Sequence, residues 1–132
     1  MKKKGYFEYD PVIYPHKLWV CIGDNDGIIS KIFGKVSCVH DEGVGGTTFS
    51  NVKVGNDDHY GTLVAFPSHD CIDVRSIAHE ASHVVDAFEK RLGLIHGGEH
   101  SAYLAGWIAF CLRCASIGEG KFIEIESYEN NQ

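Results

Sequence analysis

The spacing of apolar residues changes character near the middle of this 132-residue chain. In the first half they fall in short runs of strand length. In the second half they recur every three or four positions, the period of an amphipathic helix. Residues 18–22 (Leu-Trp-Val-Cys-Ile) are apolar throughout and end at Gly23, a pattern that predicts a buried strand. Residues 47–54 mix β-branched and aromatic side chains in loose alternation, and Gly55-Asn56-Asp57-Asp58 follows as a turn. Residues 60–66 then read as a second strand stopped by Pro67, so the two are expected to form a hairpin. Residues 24–33 predict a short helix capped by Asp24 or Asp26, with Ile28, Ile29, Ile32 and Phe33 turned inward.

Past Pro67, Asp70 or Asp73 is placed to cap a helix that runs to about Leu92, with Gly93 as its stop. Val74, Ile77, Ala78, Ala81, Val84, Val85, Phe88 and Leu92 make its apolar stripe. His79, His83 and Asp86 lie along the border of that stripe. A last helix is expected from about Gly98 to Ser116, with Leu104, Trp107, Ile108, Cys111, Leu112 and Ala115 as a broad apolar face. Residues 121–125 add a short strand or dock loosely. The expected architecture is α+β, a small sheet covered by an antiparallel pair of helices, in a single domain spanning residues 1–132.

Charge narrows the function classes. A formal net charge of −6 argues against a nucleic-acid surface, which needs a basic face. The run Lys2-Lys3-Lys4 reads as a solvated terminus. No apolar stretch reaches the roughly 20 residues of a membrane span, and Tyr6 to Pro11 interrupts any signal-peptide core. Five cysteines at scattered spacings fit free thiols in a reducing compartment, so a cytoplasmic location is expected. Cys111-x-x-Cys114 has no second ligand pair and reads as packed core cysteines. Asp24-Asn25-Asp26-Gly27 lacks the glutamate of a calcium loop, since Lys35 stands at the twelfth position. Gly43-Val44-Gly45-Gly46 lacks the Lys-Ser/Thr of a phosphate loop and reads as a flexible connection.

The pentad His79-Glu80-Ala81-Ser82-His83 carries the chemistry. Residues four apart share a helix face, so both imidazoles can reach one metal ion, with Glu80 beside it as a proton acceptor. Catalytic zinc sites use three protein ligands plus a water. A helix continuing to Leu92 travels about 13 Å beyond His83, and the chain must return. Counted from Leu92, His96 has about half the reach of Glu99, which can cover more than roughly 20 Å when extended. Glu99 and His100 are both within range, and only one can face the metal. Glu99, which shares a helix face with Ala102, Tyr103 and Gly106, is the expected third ligand, with His100 as the alternative. Asp86, three residues past His83, is a candidate to orient a ligand imidazole.

This arrangement, His79-Glu80-x-x-His83 followed on the next helix by Glu99-x-x-Ala102-Tyr103, resembles that of the gluzincin zinc metallopeptidases. It is especially similar to very small HExxH proteins of phage and mobile-element type. The likeness covers about residues 63–111. It implies a minimal zincin-like fold, a Zn2+ cofactor and a protein or peptide substrate, and charge and hydropathy add the expectation of no nucleic-acid or membrane partner. In zincins an edge strand just before the HExxH helix can pair with an extended substrate, and residues 60–66 occupy that place. Glu80 would act as general base on a zinc-activated water. A further donor would meet the developing oxyanion. Tyr103 is counted with Glu80 among the catalytic candidates, and Tyr60, His59, His96 and His100 are alternatives for the donor. The metzincin extension H-E-x-x-H-x-x-G-x-x-H is absent, as is the second lobe of larger gluzincins. That missing lobe motivates an alternative expectation, a catalytically silent zincin-fold protein that binds a partner protein.

Overall fold

The computed structural model describes residues 4–23, 32–33, 45–54 and 59–125. The chain folds as α+β, and the described residues form a five-stranded mixed sheet with two long helices. The strands are β1 (Gly5–Tyr9), β2 (Lys17–Ile22), β3 (Thr47–Lys53), β4 (Tyr60–Phe66) and β5 (Lys121–Glu124), and the sheet order is β3-β4-β2-β1-β5. β3 and β4 are the expected antiparallel hairpin. β2 and β4 run parallel, with Trp19 opposite Leu63 and Val20 opposite Val64. Gly61 is required in this pairing, because a Cβ there would stand 2.4 Å from the Lys17 carbonyl oxygen.

The two central strands are apolar on both faces because both faces are covered. Leu18, Val20, Val64 and Phe66 meet the helices, whereas Trp19, Cys21, Leu63 and Ala65 pack with Tyr6, Phe33 and Val52 on the other side. β1 has no counterpart among the expected elements, and it joins β2 to the C-terminal strand β5. The helix expected over 24–33 lies outside the described residues, apart from Ile32 and Phe33.

Helix α1 (Val74–Leu92) begins at Asp73, whose carboxylate accepts the Ser76 amide while the Ser76 hydroxyl accepts the Asp73 amide. This reciprocal pair satisfies two amides that the first turn leaves unpartnered. The helix stops at Gly93, which takes the left-handed conformation (φ 71°), and the Leu94 amide returns to the Glu89 carbonyl. Ala81, Val84, Val85 and Phe88 of the expected stripe are buried, but Val74 and Ala78 are exposed. Their places in the buried arc are taken by Ser76, Glu80 and Glu89. Helix α2 (Gly98–Ser116) has the expected bounds and buries Leu104, Ile108, Cys111, Leu112 and Ala115. The short connection between the helices makes them antiparallel neighbours, with Phe88 edge-on to Trp107. No helix among the described residues is long and apolar enough to cross a membrane.

Candidate metal centre

One turn of α1 brings the two pentad imidazoles together edge-on. His79 Nε2 and His83 Nε2 stand 3.3 Å apart, and the rings are tilted 73° to one another. Two ligands about 2.05 Å from a tetrahedral zinc are separated by about 3.3 Å. The pair is thus spaced for one tetrahedral ion. Both rings are solvent-exposed, so their outer faces are accessible.

Glu80 is turned about 100° from His79 around the helix and faces the sheet. Its side chain is 3% exposed, and its Oε2 lies 4.0 Å from His79 Nε2. The Thr48 hydroxyl, on β3, donates to Glu80 Oε1 at 2.7 Å. One carboxylate oxygen is thereby anchored, and the other stays beside the histidine pair. Gly46 closes the site from below: a Cβ there would meet the Phe66 ring at 2.9 Å and Glu80 Cγ at 3.1 Å. Thr48 and Gly46 are site residues that sequence reasoning did not single out. A hydroxyl in a strand carries no distinctive signal, and Gly46 reads as part of a glycine-rich connection until Phe66 and Glu80 are seen against it.

These groups open into a groove of about 680 Å3 between α1 and β3. His79, His83, Asp86 and Lys90 line the helix side, and Thr47, Thr48, Ser50 and Asn51 line the strand side. The strand next to the pentad is therefore β3. The zincin likeness implies an edge position for 60–66, whereas β4 is interior, between β3 and β2. The polar composition of β3 and the fully apolar inner half of β4 account for that order. Asp86 pairs with Lys90 at 3.1 Å at the far end of the groove. Arg91 stacks over the Tyr60 ring at 5.0 Å.

The expected third ligand is not brought to the histidine pair. Among the described residues no three His, Cys, Asp or Glu side chains are gathered closely enough to hold a metal. Glu99 is exposed in the first turn of α2. His100 and His96, the other candidates, converge instead on Glu89. The Glu89 carboxylate takes hydrogen bonds from His96 Nδ1 (2.7 Å) and the Ser101 hydroxyl, and His100 Nε2 lies 3.4 Å away. Burial would raise the Glu89 pKa, but the bonds from Ser101 and His96 and the adjacent imidazoles hold it below its usual value. The same carboxylate raises the pKa of His96. Glu89 lies six residues beyond His83, about 9 Å along the axis and some 120° around the helix. Loop length lets Glu99 reach the pentad, but the antiparallel hairpin spends that length on the turn and brings the neighbouring His100 and Ser101 to Glu89 instead. Tyr103, the other catalytic candidate, is 75% exposed on α2 and does not line the groove.

The chain matches no known family model, no characterised protein and no solved structure.

Proposed function

We propose that the chain is a zinc-dependent hydrolase of peptide or protein segments, built on a minimal zincin-like α+β domain. The observation that carries this reading is the 3.3 Å spacing of the His79 and His83 Nε2 atoms beside the buried Glu80 carboxylate. His79 and His83 would hold the ion, and Asp86, which lines the same groove, would orient a ligand imidazole. Zinc bound there supplies an acidified water and a Lewis acid for a carbonyl oxygen. Glu80 takes the proton released as water attacks and returns it to the leaving amine. Thr48 fixes the carboxylate for both transfers, because its hydroxyl engages Oε1 and leaves Oε2 toward His79.

The substrate class follows from the strand side of the groove. Among the described residues β3 pairs only with β4, and its other side borders the groove. An extended peptide can add to such an edge through main-chain hydrogen bonds, passing its backbone over the histidine pair. Exposure of wild type and Glu80→Gln to a mixed peptide library with zinc, read by mass spectrometry, tests the reaction. Wild type should cleave, and Glu80→Gln should retain zinc while losing about 100-fold or more of the rate. Equal cleavage by the two would refute the role of Glu80.

The placement of Glu99 away from the pair favours a second reading, in which the same groove binds an extended segment without turnover. It predicts stoichiometric peptide binding that is indifferent to Glu80→Gln and no cleavage by either protein.

A further inference from the structure

The solvent side of α2 is unlike an ordinary exposed helix face. Opposite the buried residues, the arc centred on Gly106 carries Tyr103 (75% exposed), Phe110 (65%) and Ile117 (50%). Ala102 is exposed and Ala109 partly so on the same arc. Its only charges are Glu99 and Arg113, one at each end. Neither forms an ion pair with another described residue. A solvated face is normally rich in charge, and uncharged aromatic surface of this kind marks an interaction site.

Gly106 sharpens the point. Glycine in a helix interior costs about 1 kcal/mol relative to alanine, and a Cβ at Gly106 would meet nothing within 4 Å. Nothing within the described chain calls for a glycine there. Close approach of another backbone would.

We infer that this face docks on the same face of a second copy of the chain, antiparallel, with the two-fold axis at Gly106. The face is complementary to itself in that arrangement. Glu99 lies seven residues before Gly106 and Arg113 seven after, so each copy's acid meets the other's base. Phe110 and Ala102 are each four residues away, and Tyr103 and Ala109 three, so each large side chain lies over a small one. The two glycines meet at the crossing, where the helices come closest. A two-fold contact repeats every pair twice, which is how one helix face can sustain an isologous dimer. One helix face is smaller than the roughly 800 Å2 per partner of a standard interface, so association in the micromolar range is expected.

Sedimentation equilibrium of the full chain from 5 to 200 µM (about this range, to bracket micromolar association) reads the dimer directly. Wild type should approach twice the monomer mass, and Phe110→Glu should stay monomeric with an unchanged circular-dichroism melt. The charge pair gives a more specific test. Glu99→Arg alone and Arg113→Glu alone should each weaken self-association severalfold, because like charges then face one another. An equimolar mixture of the two variants should restore it, because each arginine then faces a glutamate. A monomeric wild type across the range would overturn the proposal. So would self-association that ignores Phe110→Glu, or a mixture no tighter than its components.

Discussion

His16 makes the stability of this protein depend on pH in a way that can be worked out from its surroundings. It is 1% exposed, lies edge-on to Phe88 with ring centroids 4.6 Å apart, and contacts Thr62 Oγ1 through Nε2 at 2.8 Å. The Thr62 hydroxyl proton is committed to the Ser50 carbonyl at 2.9 Å, so Thr62 accepts and His16 Nε2 donates. The second ring nitrogen, Nδ1, is buried with no hydrogen-bond partner among the described residues. Protonating it would place a charge in an apolar pocket, and burial, aided by the positive charge of Arg91, lowers the His16 pKa from 6.5 to about 4. The unfolded chain therefore takes up a proton before the folded one does. Stability is full above pH 6.5, falls as pH drops from there toward 4, and levels below. The whole step is worth about 3 kcal/mol, and about 2.5 kcal/mol of it is lost by pH 4.5. Urea unfolding of wild type and His16→Gln at pH 7.5 and pH 4.5 isolates this group from the carboxylates common to both. The wild type should lose about 2.5 kcal/mol more than the variant between the two pH values. Equal losses would show that His16 is not held neutral, and the argument from its bare Nδ1 would fail.

Other expectations concern the site and its supports. Gly46→Ala forces a methyl against the Phe66 ring and Glu80, so it should cost about 1–3 kcal/mol of stability in thermal unfolding and weaken zinc binding. Ser101→Ala removes a hydroxyl donor from the buried Glu89 carboxylate and should cost about 1–3 kcal/mol. The His96–Glu89 contact raises the His96 pKa, so its contribution is full below pH 6.5 and fades as pH rises through the raised value. Amide exchange at Gly97 and Ser101 should accelerate over that window beyond its ordinary base catalysis, and should not do so in His96→Gln. Glu99→Ala should leave zinc affinity unchanged and Asp86→Ala should lower it about 10-fold or more. The reverse result would mean that metal loading draws the first turn of α2 to the pentad.

The limits of α1 and α2 were legible because each rests on local chemistry. Asp73 and Gly93 act within one turn of themselves, and the apolar runs of β2 and β4 follow from burial on both faces. What could not be read was non-local. β1 contributes only two buried side chains, Tyr6 and Phe7, too few for a period, and its strand character comes from pairing with β2 and β5. The parallel pairing of β2 with β4 joins segments separated by β3, and no turn signal announces it. The order within the hairpin did have a signal: Thr47, Thr48, Ser50 and Asn51 are the polar residues of an edge, whereas Leu63 to Phe66 are those of a centre. The pentad was legible as a pair of ligands because four residues make one helical turn. Its third partner was not, since loop length bounds where Glu99 can go without saying where the hairpin puts it.

Zinc titration of the purified protein is the most direct measurement of whether the His79–His83 pair is a metal site. Calorimetry should find one zinc per chain, with binding abolished in both His79→Ala and His83→Ala while the metal-free variants melt like wild type. Zinc binding that survives either substitution, or a wild type that binds none, would contradict it.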